Sequence, residues 1–220
     1  MVVYLLITLA AYLIGSISFS VIFGKKFAGV DVREKGSKNA GSTNVLRVAG
    51  KKAAICSLVC DILKGVVAVL IAFIVAKIIG QESIDGALLI QLAGFAVIVG
   101  HTFPVFFKFK GGKGVATALG VLLIVNYQIG LICLVFALLL MFLTRMVSVG
   151  SIGAAILFPV LTIFIGQNYI INPVSAANSY LPLAIAVAIL VIYNHRSNVQ
   201  RLLNGTENKL SFKKWFYCFK

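Results

Sequence analysis

The chain of 220 residues is 60% hydrophobic and has a mean hydropathy of +1.04. Soluble domains are about 45–50% apolar, so the composition excludes that class and predicts an all-α, polytopic membrane protein. The formal charge of +14 fits basic loops that face the cytoplasm and anionic lipid. Nucleic acid is not an expected partner, because the sequence holds no soluble basic domain.

Long apolar runs recur along the chain, and a bilayer crossing takes about 20 apolar residues. The runs are 2–23, 53–79, 87–99, 115–143, 147–165 and 169–193. No basic residue precedes the first run, which argues against a cleaved signal peptide and predicts an N-terminus outside.

The basic residues cluster in residues 25–52, in 101–114 and in the C-terminal segment, with Arg145 alone. Basic loops stay in the cytoplasm, and all of these positions share one side only if 115–144 crosses twice. Thirty helical residues would be about 45 Å long, too much for one straight crossing. A break is therefore predicted near Asn126. Seven transmembrane helices result, with a cytoplasmic C-terminus; six is the alternative.

The first basic cluster, residues 25–52, carries the polar stretch GSKNAGSTNVLR, residues 36–47. One Ser, Thr or Asn is enough to cap a helix, whereas this stretch supplies several and ends in an arginine. The excess favours binding over a plain connection. The candidate residues are Ser37, Asn39, Thr43, Asn44 and Arg47.

Residues 101–117, HTFPVFFKFKGGKGVAT, place three lysines and three glycines between two apolar runs. Glycines let backbone N–H groups approach an anion, and a helix predicted from Val115 adds partial positive charge. The spacing fits neither Walker A nor G-x-G-x-x-G, so it indicates phosphate without nucleotide. The alternative is a flexible loop whose lysines only set topology. The candidate ligands are the lysines and glycines of this stretch, Lys108, Lys110, Gly111, Gly112, Lys113 and Gly114.

A third polar stretch, NHRSNVQRLLNGTE, covers residues 194–207. Its periodicity predicts an interfacial amphipathic helix ended by Gly205, and Asn198 and Arg201 lie one turn apart. For His195 a structural role is at least as compatible with the pattern as catalysis. The charge argument puts all three stretches on one face, where they could hold two phosphate groups beside lipid.

Asp61 and Lys64 lie one turn apart inside the second apolar run. Charges within a span are functional candidates, but i,i+3 neighbours also pair, and a structural ion pair is favoured here. The four cysteines form no CxxC motif, and the histidines and acidic residues are scattered. No metal site is predicted.

The three stretches resemble, in order and spacing, the signature motifs of the bacterial acyl-phosphate:glycerol-3-phosphate acyltransferases, the PlsY family. The resemblance runs from about residue 4 to 208, and we therefore predict a single domain over residues 1–208. Residues 209–220 are expected to be a basic, aromatic tail suited to the membrane interface. It implies a multi-pass enzyme of phospholipid synthesis in the bacterial inner membrane, with its site on the cytoplasmic face. Acyl phosphate would acylate the 1-hydroxyl of sn-glycerol 3-phosphate, giving lysophosphatidic acid and inorganic phosphate. Acyl-CoA, acyl carrier protein and metal or other cofactors would not take part.

The resemblance implies catalytic roles for a first set of residues and substrate or phosphate binding for a second. The catalytic set is Ser37, Arg47, His101, His195 and Asn198. The binding set is Asn39, Thr43, Asn44, Lys110, Gly111, Gly112, Lys113, Gly114, Thr117, Arg201 and Glu207.

The chemistry of the reaction agrees with these residue types. Acyl phosphate is already activated, so the protein has to bring two anions together and stabilise an oxyanion. The His-x4-Asp motif of the other acyltransferase class is absent, and no carboxylate is evident beside a histidine. A substrate phosphate oxygen is therefore the expected proton acceptor, with His101 and His195 as alternatives. The alternative function is a membrane transporter of an organic phosphate, although the spans offer few polar residues beyond Asp61 and Lys64.

Overall fold

The computed structural model describes residues 1–80, 83–164 and 180–210, and every regular element in them is helical. The all-α prediction is confirmed for this part of the chain. The α-helices are α1 Val2–Gly15, α2 Phe19–Ala28, α3 Ser42–Ile79, α4 Gly86–Thr102, α5 Val115–Val125, α6 Tyr127–Thr144, α7 Val147–Phe164, α8 Leu181–Asn194 and α9 Arg196–Leu203. A short 3-10 turn, Val105–Phe107, follows α4.

Several of these segments are long and apolar enough to cross a bilayer. Five meet both criteria in the described residues: Val2–Ala28, Ser42–Ile79, Gly86–Phe107, Tyr127–Thr144 and Val147–Phe164. Two shorter apolar helices, α5 and α8, accompany them. The chain is therefore a multi-pass membrane protein. The total of seven spans and the orientation of the termini stay predictions.

The predicted break near Asn126 is confirmed. Asn126 is extended, with φ −151° and ψ 96°, and its Oδ1 accepts a hydrogen bond of 3.1 Å from the Ile129 amide at the start of α6. An asparagine N-cap satisfies one of the free N–H groups of a new helix. The long apolar run therefore divides into α5 and α6.

The first two apolar runs differ from the prediction. The first is two helices, because the chain leaves helical geometry between Gly15 and Phe19, and Ser16 Oγ bonds back to the Tyr12 carbonyl at 2.9 Å. The second begins earlier than predicted, inside the first polar stretch, and is kinked at Gly50, where φ is 84°.

Small residues let α3 and α5 pack backbone against backbone. A Cβ added at Gly65 would lie 2.4 Å from the Thr117 carbonyl oxygen, and one at Gly120 would lie 2.1 Å from that of Ile62. Close approach through small residues is the usual packing of helices in membranes. It brings the first turn of α5 beside the middle of α3.

Candidate active site

A cavity of about 1250 Å³ lies between α3, α5, α6, α7 and α8. All three polar stretches contribute residues to its lining, so the structure brings them together. Every predicted site residue except Thr117 lines it: Ser37, Asn39, Thr43, Asn44, Arg47, His101, Lys110, Gly111, Gly112, Lys113, Gly114, His195, Asn198, Arg201 and Glu207.

Thr117 is placed differently from the prediction. Its side chain is fully buried, and its carbonyl packs against Gly65 of α3. The neighbouring residues Ala116 and Ala118 line the cavity instead. The close α3–α5 packing turns Thr117 away from the site.

Asn44 shapes the first basic loop (residues 29–41). Its Nδ2 donates to the carbonyls of Val32, Lys35 and Asn39 at 2.6, 3.1 and 3.0 Å, and its Oδ1 accepts from the Ser37 amide at 2.8 Å. These bonds use both ends of the amide, so Asn44 holds the loop rather than presenting free hydrogen-bonding atoms to a ligand. Ser37 is thereby fixed at the cavity rim.

Arg33, which sequence reasoning did not single out, links the first basic loop to the segment 101–117 that carries the second polar stretch. Arg33 donates to both carboxylate oxygens of Asp31, at 3.0 and 2.7 Å, and to the Phe107 carbonyl at 2.7 Å. The Arg33 hydrogen bonds lower the pKa of Asp31 to about 2. This pair joins the two loops that carry the first and second polar stretches.

The glycine loop (residues 108–114) is built differently from the predicted anion cradle. The amides of Gly111 and Gly112 donate to the carbonyls of Thr102 and His101, both at 3.1 Å, so they are already used. These glycines are needed for packing, because a Cβ on Gly111 would lie 2.0 Å from the His101 carbonyl oxygen.

The start of α5 is the better anion site of this loop. Gly114 precedes it with φ 87°, and no side chain caps the helix. The first N–H groups of a helix lack internal partners and favour anions. Lys113, Gly114 and Val115 all line the cavity, so the uncapped helix start and a lysine lie at the same place.

A chain of hydrogen bonds fixes the third polar stretch. Lys113 Nζ donates to Asn198 Oδ1, and Asn198 Nδ2 donates to Glu207 Oε1 at 2.7 Å. Ser148 Oγ reaches the same Glu207 oxygen at 2.9 Å, while Arg201 Nε donates to the other at 2.8 Å. Glu207 therefore orients the side chains of Arg201 and Asn198, and Asn198 in turn holds Lys113. Ser148, on α7, was missed because a lone serine in an apolar run carries no signal.

Burial sets the electrostatics of Lys113. It lowers the pKa of Lys113 to about 8, with Glu207 opposing the shift and the positive charges of Arg201 and Arg47 adding to it. At neutral pH the Lys113 side chain is still mostly in its charged ammonium form. A phosphate bound nearby would stabilise this charged form further.

His195 is held as a neutral ring. Its Nδ1 lies 2.7 Å from the Val191 carbonyl, and because a carbonyl only accepts, Nδ1 carries the proton. Burial first and the charge of Lys113 second lower the pKa of His195 to about 4. Nε2 is therefore an unprotonated nitrogen on a residue that lines the cavity.

His101 has a carboxylate beside it, contrary to the prediction. Asp61 Oδ1 lies 3.4 Å from His101 Nδ1, a long contact, and 2.9 Å from Lys64 Nζ. The favoured Asp61–Lys64 ion pair is confirmed. The contact was missed because His101, itself a predicted site residue, lies on α4, forty positions along the chain from Asp61.

The remainder of the cavity is apolar. Its walls come from α3, α5, α6, α7 and α8, with side chains that include Leu58, Leu122, Leu138, Met141, Phe158 and Val187. In the part of the chain that the structure describes, no three His, Cys, Asp or Glu side chains are grouped to hold a metal ion. The cavity thus combines cationic side chains with an apolar groove, a lining suited to a ligand that has both phosphate and hydrocarbon parts.

Comparison with known proteins gives the family of this site. A family model described as glycerol-3-phosphate acyltransferase matches residues 5–205. Glycerol-3-phosphate acyltransferases of Clostridioides difficile and Burkholderia pseudomallei are 44% and 43% identical, each over 96% of this chain and 97% of the relative. The chain therefore belongs to the glycerol-3-phosphate acyltransferase family, which confirms the resemblance.

Solved structures agree with this assignment. The crystal structure of PlsY, an integral membrane glycerol 3-phosphate acyltransferase, is similar in two forms. The glycerol 3-phosphate form has a TM-score of 0.80 at 39% identity, covering 97% of this chain and 98% of that one. The lysophosphatidic acid form has a TM-score of 0.79 at 38% identity, with the same coverage.

Proposed function

We propose that this protein transfers a fatty acyl group from acyl phosphate to the 1-hydroxyl of sn-glycerol 3-phosphate, releasing lysophosphatidic acid and inorganic phosphate. The supporting observation is the one cavity in which Arg47, Lys113 and Arg201 gather at the polar end of an apolar groove. That arrangement suits two phosphates and one acyl chain. The names of the similar proteins supply the acyl acceptor and the class of reaction.

The reaction balances with the residues present. The acceptor hydroxyl oxygen attacks the carbonyl carbon of the acyl phosphate, the carbon–oxygen bond to phosphate breaks, and the hydroxyl proton passes to a phosphate oxygen. Lys113, Arg47 and Arg201 would neutralise the phosphates, and the uncapped start of α5 would add partial positive charge. Ser37 and Asn39, at the rim, would orient the acceptor.

A substrate phosphate oxygen is the proposed proton acceptor. His195 is the alternative, because Nδ1 bonds to the Val191 carbonyl and leaves Nε2 free of a proton. Its pKa of about 4 makes it a weak base at neutral pH, which favours the phosphate. His101 is a weaker candidate, since its ring lies beneath the glycine loop with Nε2 close to Gly112.

The membrane setting is part of the proposal. Basic residues from the first basic loop, the glycine loop and α9 line the polar part of the cavity, namely Lys38, Lys110, Lys113, Arg196 and Arg201. Basic loops stay in the cytoplasm. We place that part of the cavity on the cytoplasmic face of the bacterial inner membrane, in a seven-span protein with its N-terminus outside. Acyl chains would then enter the groove from the bilayer.

The experiment that tests the proposal is an assay of the purified protein with glycerol 3-phosphate and either acyl phosphate or acyl-CoA. We expect lysophosphatidic acid from acyl phosphate, negligible product from acyl-CoA, and activity that persists in excess EDTA. The compact cationic pocket suits a bare phosphate, and lysines and arginines replace a metal ion as its counter-charge. Comparable rates from acyl-CoA would refute the donor, and loss of activity in EDTA that Mg²⁺ restores would refute the mechanism. Uptake of organic phosphate into vesicles without acylation would favour a transporter instead.

A further inference from the structure

The buried charges of α3 do more than pair with each other. Asp61 and Lys64 are 2% and 4% exposed, and a charge in such a place is costly unless it has partners. Lys64 Nζ donates to the Gly15 and Ile17 carbonyls, both at 2.9 Å, beside its 2.9 Å contact with Asp61. Its three donors are therefore used, and they hold the break between α1 and α2.

Asp61 has a second neighbour that this structural role does not require. Its Oδ1 is 3.4 Å from His101 Nδ1, a long contact, and among the described residues that nitrogen makes no hydrogen bond. Asp61 and His101 both line the cavity. The Asp61 carboxylate therefore lies beside the His101 imidazole, and the Lys64 ammonium balances the charge of the carboxylate.

The imidazole supports the glycine loop. A Cβ on Gly112 would lie 2.1 Å from His101 Nε2 and 2.8 Å from the Ala40 carbonyl oxygen. Gly112 thus lies between the ring and the first basic loop, and its amide bonds to the backbone of His101. Rotation of the ring would displace Gly112, and Lys113 follows it directly.

We propose that Asp61 is a positioning residue: by accepting from Nδ1 it fixes the His101 ring, which seats the glycine loop so that Lys113 reaches into the cavity. The carboxylate acts through its acceptor oxygen and not through its charge. The catalytic consequence rests on the proposed function, whereas the effect on the loop does not.

The test separates the acceptor from the ion pair. Removing Asp61 alone would leave Lys64 buried and unpaired, which destabilises a fold whatever else Asp61 does. Two double variants avoid this: Asp61→Leu/Lys64→Met removes the acceptor, and Asp61→Asn/Lys64→Met keeps an acceptor oxygen without charge. Thermal unfolding in detergent checks that the two have the same stability.

Hydrogen exchange of peptides covering residues 103–114 gives a readout that needs no substrate. We expect faster exchange at Gly111 and Gly112 in Asp61→Leu/Lys64→Met, and exchange near that of the wild type in Asp61→Asn/Lys64→Met. With acyl phosphate and glycerol 3-phosphate, kcat of the leucine variant should fall about ten- to hundredfold, as expected for a misplaced catalytic group.

The possible results give different conclusions. Equal loop exchange and equal kcat in the wild type and both double variants would overturn the proposal and leave a structural ion pair. Equal impairment of both folded variants would also overturn it, because the acceptor oxygen at position 61 would then make no difference. An inactive wild type would refute the proposed function, while the exchange data would still decide the role of Asp61.

A variant of the histidine covers the case in which the leucine variant does not fold. His101→Phe keeps a ring of related size, leaves Asp61 and Lys64 paired, and removes the nitrogen that faces Asp61. We expect the same rise in exchange at Gly111 and Gly112. Unchanged exchange in this variant would overturn the proposal.

Discussion

Raising the pH should remove the charge of Lys113 and with it part of the affinity for glycerol 3-phosphate. Burial lowers the pKa of Lys113 to about 8, because a desolvated ammonium is disfavoured. Its protonated fraction then falls from about 0.9 at pH 7 to about 0.1 at pH 9. A phosphate monoester has a second pKa of about 6, so the substrate stays mostly in its doubly charged form over this range.

The size of the effect follows from one lost contact. A hydrogen bond to a charged group contributes about 1.5–3 kcal/mol, which is about a ten- to hundredfold change in kcat/KM. Combined with the change in protonation, kcat/KM for glycerol 3-phosphate should fall about five- to ninefold between pH 7 and pH 9. The assay is a pH profile of initial rates, with lysophosphatidic acid as the product measured.

Three variants isolate Lys113 in this profile. Lys113→Arg stays protonated throughout and should flatten the decline, whereas Lys113→Ala should be slow at every pH. Glu207→Gln should move the decline to lower pH, because the charge of Glu207 raises the pKa of Lys113. A decline that is the same in the wild type and in Lys113→Arg would refute the role of the Lys113 charge.

Three further predictions concern other parts of the molecule. Arg47→Ala should lower kcat/KM about ten- to hundredfold, whereas Lys52→Ala, on the same helix but outside the cavity, should be nearly silent; equal effects would contradict the site. The folded pKa of His195 is about 4, so between pH 6.5 and pH 4 the unfolded state binds more protons, and the wild type should lose about 3 kcal/mol of unfolding free energy as the pH falls through this range. His195→Asn should remove most of this loss. An unchanged dependence of the unfolding free energy on pH would argue against a buried neutral His195. An impermeant thiol reagent added outside should label a cysteine at Ser83 and not one at Asn198, and the reverse pattern would invert the topology.

The sequence alone determined the features that depend on neighbouring residues. Hydropathy over windows of about 20 residues predicts membrane helices, because the bilayer thickness fixes the length required. The break at Asn126 followed from helix length, and the Asp61–Lys64 pair from helical spacing. The three polar stretches were recognisable because each is continuous in the chain.

The tertiary structure decided how these stretches work. Ser148 and Glu207 are 59 positions apart, and His101 meets Asp61 from another helix, so no local pattern could predict either contact. Glycines that looked like phosphate ligands serve packing, since Gly111 and Gly112 lie against α4 and have bonded their amides there. Such contacts arise where small residues let helices approach closely, and that approach is a property of the assembled bundle.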